Sequence, residues 1–146
     1  VSLKYDVIEG IELNLTGKSM SVYEDDPIAT HKMLDQFSDL VSKNIDSSEL
    51  LHRVHYNLDL DNKRYDYIVG YPNFDDPAYD NVHIKAPKGV RFICKSINKK
   101  IIPEVKKIIY TEWDKNDYVT DNICEIEYVV ECDDDMVDFY YIVSIK

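Results

Sequence analysis

The residues of this chain best suited to chemistry are two carboxylates at alternate positions, Glu125 and Glu127, in the run Ile123-Cys124-Glu125-Ile126-Glu127-Tyr128. Side chains two apart on a strand share a face. Ile123, Glu125, Glu127 and Val129 therefore point one way, and Cys124, Ile126, Tyr128 and Val130 the other. The second set is apolar and belongs against a packed layer. The first turns acid toward bulk water or toward a cavity. In a poorly solvated cavity a carboxylate can serve as counter-charge to a cation that also meets aromatic faces. With its pKa raised by burial it can instead serve as an acid or base.

Rings that could flank these acids are plentiful, since 12 of the 146 residues are tyrosine. An apolar ring with a polar tip suits a cavity lining as well as a core. Trp113, the only tryptophan, and Tyr110 lie near the end of the helix that precedes the acidic strand. Tyr67 shares a strand face with Tyr65, Val69 and Tyr71. On the final strand Asp138, Tyr140 and Ile142 share a face, and the hairpin to the Glu125 strand brings Tyr140 beside that acid.

Other motifs carry less. His52-x-x-His55 sits on a strand, where a spacing of three sends the rings to opposite faces, and no third ligand is in register, so no metal site is expected. Gly17-Lys18-Ser19 lacks the earlier glycine of a phosphate loop, because position 12 is Glu12. The runs Asp59-Leu60-Asp61 and Asp133-Asp134-Asp135 lack the glycine and terminal glutamate of a calcium loop and read as solvated turns. Cys94, Cys124 and Cys132 are odd in number without Cys-x-x-Cys spacing, which argues against a disulfide framework or zinc.

These residues need elements to position them. A strand is expected over 7–17, then a helix capped by Asp26 with Pro27 at its first position and an apolar stripe of Met33, Leu34, Phe37, Leu40 and Val41 that ends near Asn44. Strands over 50–60 and 63–71 join through Asp61-Asn62. A further strand or pair spans 82–86 and 90–96, broken or bulged at Pro87-Lys88-Gly89. A second helix runs from Pro103 to about Trp113, and strands over 123–131 and 137–145 close the chain. The order strand, helix, strand, strand thus occurs twice, in halves of about 1–75 and 76–146. One α+β domain follows, built from two β-α-β-β repeats that form an antiparallel sheet with two helices on one face and a cleft between the repeats.

Composition bounds the function. A net charge of −11, from 28 acidic and 17 basic residues, with no basic stripe, disfavours direct nucleic-acid contact. No apolar run is long enough to cross a bilayer and no signal segment opens the chain, so a cytoplasmic protein with no membrane partner and no cofactor is expected.

From Tyr65 to Lys146 the chain resembles the gyrase-inhibitor-like (GyrI-like) effector-binding domains of AraC-type and MerR-type bacterial transcription regulators. The residues that carry the resemblance are Tyr65-Asp66-Tyr67-Ile68-Val69-Gly70, Ala86-Pro87-Lys88-Gly89, Ile109-Tyr110-Thr111-Glu112-Trp113 and Cys124-Glu125-Ile126, in that order. The resemblance implies a domain that binds a hydrophobic, often cationic, small molecule in its cleft, with Glu125 as the ligand-facing acid. Trp113, Tyr67, Tyr140, Tyr110 and Glu127 complete the expected ligand-binding set. Alternatives are a hydrolase that uses Glu125 on small reactive ligands, and a stand-alone gyrase inhibitor that works through its acidic surface. The chain opens at Val1 and has no basic helix-turn-helix pattern, so it is read as a piece of a longer regulator whose missing N-terminal domain would contact DNA.

Overall fold

A computed structural model describes residues 2–146. Its elements are β1 (Leu3–Tyr23), α1 (Pro27–Asn44), β2 (His52–Asp59), β3 (Arg64–Pro72), β4 (Asp80–Asn98), α2 (Ile102–Asp114), β5 (Thr120–Asp133) and β6 (Met136–Ile145), with one 3₁₀ turn, Lys99–Ile101, leading into α2. This is the expected doubled order, an α+β fold with an antiparallel sheet drawn from both halves. The sheet closes on itself in the order β1-β3-β2-β5-β6-β4.

Closure depends on the length of β1. Its 21 residues pair with β4 along Leu3 to Gly17 and with β3 along Leu15 to Tyr23. A strand stopping at Gly17 would have served only the first partner. Gly17 lies directly across from Gly70, and a Cβ added at Gly17 would fall 2.0 Å from the Val69 carbonyl oxygen. Glycine is required there by backbone proximity, not by a turn. The expected break at Pro87 is absent, since β4 runs through it. Gly10, at φ 78°, sits where the β1–β4 ladder skips the residue opposite Pro87.

The alternation of side chains divides the sheet as expected. One face lines the barrel interior with Ile11, Leu15, Val54, Ile68, Ile84, Cys124, Ile126 and Ile142. The other receives the helices. Leu34 and Val41 of α1 pack on Tyr65, Tyr67 and Val69, while Val105 and Ile109 of α2 pack on Val90, Phe92, Phe139 and Val143. Asp26 caps α1 by accepting from the Ile28 and Ala29 amides at 3.1 and 3.3 Å. The helices leave a strip of sheet between them uncovered, at the junction of β2 and β5 where the two repeats meet. Among the described residues no helix is long and apolar enough to cross a membrane.

Candidate functional site

The uncovered strip is the floor of a cleft of about 620 Å³. His55 of β2, Tyr65 of β3, Glu125 and Glu127 of β5, and Tyr141 of β6 form the floor. Pro27, Ile28, His31 and Leu34 of α1 make one wall, Lys106 and Tyr110 of α2 the other, and Glu24, Leu58 and Leu60 the rim. A smaller hollow of about 100 Å³ continues from it under the end of α2, lined by Ile109, Trp113, Thr120 and Val143 and sharing Tyr110, Glu125 and Tyr141. The combined space falls in the range of small-molecule sites.

The two acids differ sharply. Glu127 is buried, with 6% of its surface exposed, and its oxygens are engaged separately: Arg53 Nη2 donates to Oε1 at 2.8 Å and Lys106 Nζ approaches Oε2 at 2.7 Å. It therefore lines the cleft as a neutralised group. Glu125 is half-buried and, among the described residues, forms no ion pair. Burial pushes its carboxyl above the usual carboxylate range, opposed by the Tyr141 hydroxyl and by the charge of Lys106. An ionised carboxylate without a partner at this depth is costly, and a cation placed beside it would remove the cost.

His55 faces Glu125 across the β2–β5 ladder, with its ring 4.9 Å from both Tyr65 and Tyr67. Burial lowers its pKa from 6.5 to about 4, so it is neutral at pH 7 and does not supply the missing positive charge. A histidine depressed in the fold stabilises above its unfolded pKa, and that contribution is lost as pH falls from 6.5 toward about 4. Glu125, raised in the fold, works in the opposite sense and favours the fold as it protonates. His55→Phe is therefore expected to turn the acid limb of the stability curve upward relative to wild type, read as the urea midpoint between pH 7 and 4.5. An unchanged limb would mean that His55 is protonated in the fold.

The structure brings Glu125, Glu127, Trp113 and Tyr110 together around one space. Tyr110 is 52% exposed and meets Tyr141 edge-on at 6.4 Å. Tyr67 is placed elsewhere: it is 3% exposed, lies under α1 against Phe37, and lines neither hollow. Its strand face is the expected one, but α1 covers it. Tyr140 is on the wrong face. It stacks on Tyr128 at 4.8 Å, and Tyr141 takes the place beside Glu125. The cause is a bulge in the β5–β6 hairpin, where the register shifts between Glu131 and Asp133. Beyond it Glu127 lies opposite Tyr141, and a one-residue slip sends every later side chain to the other face. Tyr65, Tyr141, Lys106, His55 and Glu24 were not expected at the site. Tyr65 could have been found, because it shares the face of Tyr67 one turn of the pleat nearer the open rim. His52 and His55 point to opposite faces as their spacing requires: His52 stacks on Tyr128 at 4.5 Å.

No sequence-family model matches this chain, and no curated protein matches it. Solved structures share its architecture. They include the integron cassette protein VCH_CASS2 from the mobile metagenome of Vibrio cholerae, at TM-score 0.68 and 11% identity over 99% of this chain and 95% of that one. A candidate bacterial transcription regulation protein from Staphylococcus aureus MU50 matches at TM-score 0.66 and 13% identity over 99% and 98%. SAV2435 bound to tetraphenylphosphonium matches at TM-score 0.64 and 10% identity over 98% and 94%. At such identities the likeness is one of fold.

Proposed function

We propose that this chain is a GyrI-like effector-binding domain that takes a hydrophobic cation in the cleft between its repeats. The observation that carries the reading is Glu125: a half-buried carboxylate with no ion pair among the described residues, at the junction of a roomy cleft and an aromatic hollow. A cation there gains a counter-charge from Glu125 and ring faces from Tyr110, Tyr141 and Trp113. Glu127 is not that counter-charge, because Arg53 and Lys106 already satisfy it. The fold shared with SAV2435, whose structure holds the lipophilic cation tetraphenylphosphonium, supports the choice of ligand class. The fold shared with a candidate transcription regulator supports a sensing role, in which ligand binding favours the liganded geometry by its differential affinity and a DNA-binding segment reads the shift.

The test is a thermal-shift and fluorescence titration with tetraphenylphosphonium. Trp113 is the sole tryptophan and lines the aromatic hollow, so its emission is expected to change in proportion to occupancy. A saturating stabilisation with no change in Trp113 emission would place the ligand elsewhere. The raised carboxyl of Glu125 also favours a second reading, acid or base chemistry on a small ligand. Turnover of electrophilic esters that disappears in Glu125→Gln would establish it, and saturable binding without turnover would dismiss it.

A further inference from the structure

The strand that carries Glu125 and Glu127 borders a second hollow on its reverse face. Ile126 and Tyr128, which alternate with the two acids, join Ile8, Ile11 and Ile142 around a space of about 180 Å³ beside His52. Gly10 lies at its edge, where the β1–β4 ladder skips a residue, and a Cβ built there would meet nothing within 4 Å. The one charged group on the lining is Glu12, an exposed residue 3.2 Å from His83 Nε2.

His52 is the polar group inside this apolar wall. It is 6% exposed, and its ring is held in a stack, 4.5 Å from Tyr128, which lies in turn 4.8 Å from Tyr140. Its Nδ1 is 2.9 Å from the Leu50 carbonyl oxygen. A carbonyl can only accept, so Nδ1 carries the hydrogen and Nε2 presents a lone pair. Burial lowers the pKa of the ring and so favours this neutral form. Nε2 has no hydrogen-bond partner among the described residues, and a buried acceptor left without one is costly. Among those residues Asp121 Oδ2 is the one unpartnered side-chain oxygen or nitrogen that is fully sealed, so Nε2 is open to the space its ring lines.

From these features we infer that the hollow is a second binding site, for a neutral single-ring molecule of the phenol class whose hydroxyl donates to His52 Nε2. Size supports the class, since an apolar cavity of roughly 150 Å³ takes up benzene. Charge supports it too. No ionised side chain stands inside to repay the desolvation of a charged ligand, and Glu12 already has His83 beside it at the mouth. The cation cleft and this hollow lie back to back across β5, where His55 pairs with Glu125 and His52 with Tyr128. The inference therefore stands apart from the cation-binding reading.

The experiment titrates the protein at neutral pH with phenol and with anisole, a matched ring that lacks the donor, and follows the histidine nitrogens by NMR. Phenol is expected to shift the Nε2 resonance of His52 saturably and to bind about fivefold more tightly than anisole, the worth of one net hydrogen bond. His52→Phe should erase that preference. Ile8→Phe, which fills the hollow from a half-buried position and keeps the imidazole, should abolish binding of both probes. Glu125→Gln, or saturating tetraphenylphosphonium, should leave the phenol affinity unchanged. A His52 signal that phenol does not move, as for a hollow that takes only water, would overturn the inference. So would equal affinities in wild type, a preference that survives His52→Phe, or displacement of phenol by tetraphenylphosphonium. If His52→Phe does not fold, Ile8→Phe decides alone: phenol binding retained in that variant overturns the site, and its loss supports it. Failure of tetraphenylphosphonium to bind would overturn the cation reading and leave this site standing.

Discussion

Glu125→Gln is expected to leave a protein at least as stable as wild type at neutral pH but blind to tetraphenylphosphonium. The two effects follow from one environment. In the free protein the carboxyl is held above its ordinary range by burial, so its contribution to stability is full below its unfolded pKa and lost as pH rises through the raised value. Above that raised value the ionised group is a net burden that an uncharged amide of the same shape does not carry. In the complex the same charge is the ligand's partner. At a ligand concentration of a hundred times the dissociation constant, wild type gains about 2.7 kcal/mol. Loss of a close, partly desolvated charge pair weakens affinity by about 1.5 to 3 kcal/mol. If affinity falls a hundredfold, the same ligand concentration yields only about 0.4 kcal/mol. The pH dependence has a defined sign: protons compete with the cation for Glu125, so wild-type affinity should rise with pH through the raised carboxylate range and then level off. Glu125→Gln should be flat over that interval. A variant that retains the full ligand-induced shift, or a wild type whose affinity falls as pH rises, would remove Glu125 from the site.

How much of this was legible in the sequence depended on whether the information was local. The facing of Glu125 and Glu127 came from strict alternation in a strand, which the paired register preserves, and the start of α1 came from Asp26-Pro27, a cap and an N1 proline that act within one turn. Tyr140 and Tyr141 could not be told apart, since two adjacent tyrosines fit the pattern equally and a single bulge near Cys132 chooses between them. Tyr67 was placed on its proper face, yet whether a face is cleft or core depends on how far a helix extends over it. That is fixed by the packing of Leu34 and Phe37, some thirty residues away in the chain. The closure of the sheet was hidden by Gly17, which reads as a strand end but is in fact the point of closest approach to Gly70. The division of labour between the two acids was the least readable feature of all, because Arg53 and Lys106 reach Glu127 from β2 and α2 across long sequence separations.

That division makes Glu127 the more consequential of the two acids for the fold. Glu127→Gln is expected to destabilise by about 3 kcal/mol, since two cations at 2.7 and 2.8 Å are left facing an amide that can accept from them only weakly. Most of that cost is the penalty of orphaned charge rather than the value of the pair, so it should be relieved by removing one of the cations. Lys106→Met, which leaves Glu127 with Arg53, should cost only about 1 kcal/mol. The double variant should then lose about 2 kcal/mol, well short of the sum of the single effects, because the methionine removes one of the stranded charges and fills its place with apolar volume. The consequence extends to binding. Lys106 is on α2 and Glu127 on the sheet, so their ion pair pins to the floor the helix that carries Tyr110 and Trp113. Glu127→Gln should therefore weaken tetraphenylphosphonium binding and alter Trp113 emission before any ligand is added, whereas Glu125→Gln should leave the emission of the free protein unchanged. Urea denaturation and tryptophan spectra of the four proteins in this cycle measure both parts. Strict additivity of the stabilities would show that Glu127 and Lys106 act independently, and the account of the cleft as one acid held in reserve beside one acid spent on the fold would fail with it.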